Sequence, residues 1–139
     1  MAAVNVGLKA DDCGAAAVEF ALVTPILLVF LLGIFEFGRA WNAYHVVTNA
    51  ASAGARVSAV AQGISADSVK KVVKANLAAA SLDPEMATIT VEGLTGATGT
   101  PAKVSVEYRY NLLFWQDESS EEAPRTSLRL RTASVMRRE

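Results

Sequence analysis

Residues 15 to 35 read AAAVEFALVTPILLVFLLGIF, an apolar run broken by one charge, Glu19, and one proline, Pro25. As an α-helix the run is about 31 Å long, close to the roughly 30 Å hydrocarbon core of a bilayer. A surface of that kind has to be covered by lipid or by protein. The chain has 139 residues, which leaves room for one small domain beside it. The expectation is therefore a single-pass membrane chain: a leader over 1–14, a transmembrane helix over 15–35 in contact with the lipid bilayer, and a folded domain over 36–139. Pro25 removes one backbone donor and leaves the carbonyl of Ala21 without its usual partner, which predicts a kink.

A conventional cleaved signal needs a basic start, an apolar core of about 7–15 residues and a small-x-small cleavage site. Here the run is longer, and Lys9 is offset by Asp11 and Asp12. No Ala-x-Ala follows the run directly, although Ala40 and Ala43 lie nearby. Cys13 precedes the run, where a lipoprotein signal would place its cysteine after it. Lys9 before the segment and Arg39 after it nearly tie under the positive-inside rule, so charge alone leaves orientation open.

Gly14 stands immediately before the apolar run, and Glu19 is the fifth residue after it. The stretch Gly14-Ala15-Ala16-Ala17-Val18-Glu19-Phe20 resembles the processing site of type IV prepilins, and more narrowly that of the TadE-like family of the Tad (Flp pilus) machinery. Glu36-Phe37-Gly38-Arg39 and Asn49-Ala50-Ala51-Ser52-Ala53-Gly54-Ala55-Arg56 are similar to two further stretches of that family, and Thr132-Ala133-Ser134-Val135-Met136 resembles its closing strand. The resemblance is dense over 14–60 and thin beyond. It implies a pilin-like (pseudopilin) subunit or assembly factor cut after Gly14 by a prepilin peptidase, so that the mature chain begins at Ala15. It also implies partners among other pilin-like subunits and the Tad pilus assembly machinery. Residues 1–14 would then face the cytoplasm and residues 36–139 the outside of the cytoplasmic membrane, or an extracellular filament. Family leaders are usually basic before the glycine, whereas this one reads Asp11-Asp12-Cys13. The mature chain would be larger than the very short major Flp pilins, which suggests a minor subunit.

Glu19 also has a physical argument of its own. A carboxylate in hydrocarbon costs roughly 2.5 kcal/mol or more on insertion scales, so it must be paired, protonated or drawn to the surface. A cut after Gly14 would put an α-ammonium on Ala15, at i and i+4 to Glu19 on one helix. Glu19 could then pair within its own chain or with the ammonium of a neighbouring subunit. The second contact would set axial register, since a misplaced copy leaves a charge unpaired. A carboxylate reaching the headgroups is the other reading.

Beyond residue 35 the helix is expected to continue to about 62. Asn42, His45, Asn49, Ser52 and Arg56 form a polar stripe, and Ala40, Tyr44, Val47, Ala51 and Gly54 an opposing stripe of mostly small residues. Trp41 and Tyr44 fall where an interfacial aromatic belt would sit. A second helix is predicted over 66–81, capped by Ser65 and stopped by Asp83-Pro84. In that helix Val69, Val72, Val73, Leu77 and Ala80 face inward, and Lys70, Lys71 and Lys74 outward. The period then switches to two around Ile89 and Val91, Val104 to Tyr110, and Leu128 and Leu130. That pattern predicts about three antiparallel strands with one wet face, so the fold class is α+β, pilin-like.

The functional classes narrow accordingly. Net charge is −1, which gives no global field for nucleic acid. One cysteine, Cys13, and one histidine, His45, leave little for a metal centre or a nucleophile-histidine pair. The acidic stretch 116–125 (QDESSEEAPR) lacks the regular spacing of a calcium loop. No phosphate loop or catalytic constellation is visible, so no enzyme, cofactor or metal is expected. Besides the pilin-like reading, the sequence leaves a membrane-anchored extracytoplasmic binding module that does not polymerise, and a secreted protein with a cleaved signal.

Overall fold

The structure, a computed structural model, describes residues 8–60, 63–95, 98–113 and 127–138. The order of elements is helix α1 (Leu8–Val60), helix α2 (Ala66–Ala79), a 3₁₀ turn (Pro84–Met86), and strands β1 (Ala87–Glu92), β2 (Pro101–Asn111) and β3 (Ser127–Arg137). The α+β class holds, as does the three-stranded antiparallel sheet, in the order β1-β2-β3. The chain divides into two compact units, Met1–Phe37 and Gly38–Glu139.

In the first unit the side chains of 14–35 lie on the surface; only Thr24 is partly shielded. Phe20, Phe30 and Ile34 are each about two-thirds exposed. α1 begins at Leu8, seven residues before the apolar run, since Leu, Lys and Ala carry good helix propensity. Pro25 lies inside α1, and the Thr24 hydroxyl donates to the Phe20 carbonyl at 2.6 Å.

The second unit is built on the small-residue face of α1. Ala43, Val47, Ala50, Ala51 and Ala55 are buried, and so is Gly54. A Cβ at Gly54 would stand 2.6 Å from Val73 Cγ2 of α2 and 3.4 Å from Val104 Cγ1 of β2. Hydrogen in place of a methyl group is thus what lets α1 lie against both elements. Asn42, His45, Asn49 and Arg56 face solvent as the stripe requires. Tyr44, assigned from the sequence to the opposing stripe, is 37% exposed. The buried face is centred on the alanines at 43 and 50, which moves position 44 to its rim.

α2 starts as predicted: the Ser65 side chain accepts from the Ser68 N–H at 3.2 Å. Val69, Val73 and Leu77 are fully buried, each contributing about 1.5–3 kcal/mol by burial. Val72 is half-buried, and Ala80, expected inside, is exposed because it is the C-cap. The helix ends two residues before the predicted limit. Ser81 takes a left-handed φ of 60°, its N–H donates to the Ala78 carbonyl at 3.0 Å, and the Leu82 N–H donates to the Leu77 carbonyl at 3.0 Å. This pair of bonds closes the helix end with serine where glycine is usual. Asp83 and Pro84 then start the 3₁₀ turn, with Asp83 Oδ1 accepting from the Glu85 N–H at 3.0 Å.

β2 is the central strand, and Ala102, Val104, Val106, Tyr108 and Tyr110 form its inner face. Opposite them stand Val91 and Ile89 on β1, and Met136, Ser134, Thr132, Leu130 and Leu128 on β3. Leu130 is buried, but Leu128 is 48% exposed at the end of the sheet. Burial pushes the Tyr108 phenol above its ordinary range, partly offset by a backbone hydrogen bond at Asp83. Gly93 turns the chain out of β1 with φ 80°, and a Cβ there would sit 2.3 Å from the Pro101 carbonyl oxygen, so the position excludes a side chain.

Candidate functional site

The sequence singles out Gly14, Ala15, Glu19 and Phe20, and all four lie on one continuous stretch of α1 with their side chains exposed. A Cβ at Gly14 would meet nothing within 4 Å, so packing inside the chain does not explain glycine there. Ala15 and Glu19 are one helical turn apart, on the same face. Glu19 has no hydrogen-bond or ion-pair partner among the described residues. Phe20, 70% exposed, follows it on the apolar surface. The arrangement is therefore an open helical segment presenting one carboxylate amid apolar side chains. It offers charge and shape to an outside partner and assembles no reacting groups.

The other end of the apolar run has a different character. Glu36 is 5% exposed, the one buried carboxylate among the described residues. Sequence reasoning noticed it only as part of the Glu36-Phe37-Gly38-Arg39 resemblance. The available signal was a second acid at the polar edge of a long apolar run. Within the second unit, the Arg39 guanidinium lies 5.8 Å from the centre of the Tyr110 ring, a cation–π distance. Trp41, 55% exposed, meets the ring of His45 edge-on at 5.2 Å and that of Tyr44 at 6.3 Å. His45 thus belongs to an exposed aromatic cluster on α1.

No group of three or more His, Cys, Asp or Glu side chains suited to a metal lies among the described residues. The acidic stretch 116–125 lies outside the described residues.

The long helix defines the class: a chain with, among the described residues, one helix, within Gly14–Val60, long and apolar enough to cross a membrane, and with a small α+β domain. Residues 14–56 are similar to the family model described as TadE-like protein. The match starts on Gly14 and covers the apolar run, the Glu36-Phe37-Gly38-Arg39 stretch and the Gly54 contact. No curated protein matches the chain, and no solved structure matches it.

Proposed function

We propose that this chain is a pilin-like (pseudopilin) minor subunit or assembly factor of a Tad/Flp-type pilus, cut after Gly14 by a prepilin peptidase. The single observation that carries the reading is the coincidence at the start of the TadE-like segment. Gly14, with open space around it, is followed by the apolar run 15–35, whose one carboxylate, Glu19, faces outward with no partner among the described residues. A peptidase needs access to the bond after Gly14, and this surface gives it. Cutting there supplies the ammonium that Glu19 lacks, on its own helix or on a neighbour.

The test is the N-terminus of the protein recovered from cell membranes. Wild-type chain is expected to begin at Ala15, and Gly14→Val to remain full length, because a branched side chain stands next to the cut bond. Cys13→Ser, altered in the discarded leader, should yield the same mature protein. Mass spectrometry that finds only the full-length wild-type chain would remove the processing step and favour an anchored module that does not polymerise.

In this reading residues 15–35 span the cytoplasmic membrane, residues 1–14 begin inside, and 36–139 lie outside. Phe37, Trp41 and Tyr44 then meet the outer interface, where amphipathic rings are favoured. A reporter active only outside the cytoplasm, fused after Glu139, should be active. Activity of a cytoplasmic reporter at the same position would reverse the orientation.

A further inference from the structure

Gly33 is the only glycine in the apolar run 15–35, as Glu19 is its only charge. Glycine is less favourable in a helix than alanine, and a Cβ at Gly33 would meet nothing within 4 Å, so no contact inside the chain calls for it among the described residues. The missing side chain leaves a hollow of about 320 Å³ on the helix surface, floored by Gly33 and bounded by Val29, Phe30, Ile34 and Phe37. Gly33 follows Glu19 by fourteen residues, which is two heptads, so both stand on one seam of α1. That seam runs Glu19, Val23, Ile26, Phe30, Gly33 and Phe37, with steps that alternate between four and three. Lipid chains impose no such period, whereas a second helix packed along the seam does. An apolar surface offers many such seams; the one charge and the one glycine on this one single it out. In lipid, helices gain little from the hydrophobic effect and meet where small residues let them approach closely.

We infer that the hollow at Gly33 is a seat for a second copy of the chain, which fills it with Leu28 and Leu31. These two leucines are exposed on the far side of the apolar helix, about 180° and 120° round from Glu19. The inference rests on the reading of the chain as a subunit cut after Gly14. A parallel copy stepped along the axis by one helical turn, about 5.4 Å, brings its Ala15 ammonium to the level of Glu19. The same step lifts the midpoint of its Leu28 and Leu31 by about 3.6 residues, to the middle of the hollow between Phe30 and Phe37. One step therefore satisfies the charge and the shape together. An acyl chain would fill the hollow without bringing a cation to Glu19. The seam of one copy meets the back of the next, a head-to-tail contact that repeats along a filament.

The experiment uses two differently tagged full-length copies, both carrying Cys13→Ser, co-expressed and oxidised in isolated membranes. A disulfide forms only where two helices come close, so it reads the register of the contact. Gly33→Cys in one copy with Leu28→Cys or Leu31→Cys in the other should give a mixed dimer. Its yield should exceed at least tenfold that of Gly33→Cys with Ala21→Cys, a far-side position two turns lower. Gly33→Leu in both copies, with no cysteine added, fills the hollow. It should cut co-purification of the two tags at least tenfold and leave the membrane level unchanged, since the run stays apolar. Three results overturn the inference: no mixed dimer, a Gly33→Cys copy that links to itself as readily, or Gly33→Leu copies that pair like the wild type. The first gives the hollow to lipid or to a different subunit, and the second to a symmetric pair with no axial step. The N-terminus of each recovered copy is read in parallel. A chain that starts at Ala15 but gives no mixed dimer leaves the pilin-like reading standing and removes only this contact. A chain that keeps residues 1–14 removes the cut and this contact with it.

Discussion

Glu19→Ala should reach the membrane at the wild-type level or above and drop out of complexes with other pilin-like subunits. Removing a carboxylate from the apolar run relieves roughly 2.5 kcal/mol or more of insertion cost, so the anchor itself gains. What disappears is the one outward charge on the described apolar run, which has no partner among the described residues. If a mature N-terminus supplies that partner, each misaligned subunit in the wild type leaves a buried charge bare, a penalty of about 3–5 kcal/mol when one member of such a pair is missing. The alanine variant lacks this discrimination altogether. Glu19→Asp should retain part of the association, because the shorter side chain reaches less well. Membrane level and co-purification with partner subunits are measured side by side. Wild-type co-purification in Glu19→Ala would leave Glu19 as an acid that merely seeks the headgroups.

The largest structural effect is expected at Gly54. Glycine within a helix costs about 1 kcal/mol relative to alanine, so on propensity alone Gly54→Ala should help. Against that, its Cβ would stand 2.6 Å from Val73 Cγ2, and both the valine and the facing Val104 are fully buried with little room to move. Overpacking of this kind costs about 1–3 kcal/mol, so the clash should win by a small margin. Gly54→Leu has no such balance. It should separate α1 from α2 and β2 and leave the domain unfolded. Gly38→Ala is the matched control, since nothing lies within 4 Å of a Cβ there. It should gain up to about 1 kcal/mol, or roughly 4–8 °C in a domain of this size. Thermal melting of the full-length chain in detergent, followed by near-ultraviolet circular dichroism, separates the three. A Gly54→Leu protein melting like the wild type would mean that the close approach is not needed.

The elements that could be read in the sequence are those written in local patterns. The apolar run, the Ser65 cap and the alternation along β2 each reflect neighbours in the chain, and the α+β architecture follows from them. The misplaced details all depend on distant residues. Tyr44 lies at the rim because α2 and β2 approach the alanine positions of α1, which helical period alone does not reveal. α2 stops early because Ser81 adopts a left-handed conformation with no glycine to announce it. Leu128 alternates correctly yet stays 48% exposed, since burial there depends on what covers the end of the sheet. The candidate site shows the same division. Gly14, Ala15, Glu19 and Phe20 stand out as a contiguous motif. The burial of Glu36 required the fold.

The helix that carries the apolar run also supplies a wall of the folded domain, because α1 runs without interruption to Val60 and buries Ala43, Val47, Ala51 and Ala55. Shedding is therefore restricted. A protease that cut between residues 43 and 59 would split this wall, stripping part of the core from α2 and the sheet. A stable fragment released from α1's apolar run must keep the helix from at least Ala40 onward, so it would expose Trp41 and Tyr44 to water. Such a fragment would carry its own sticky end, and its tendency to cluster would report how much that aromatic surface gains from being covered.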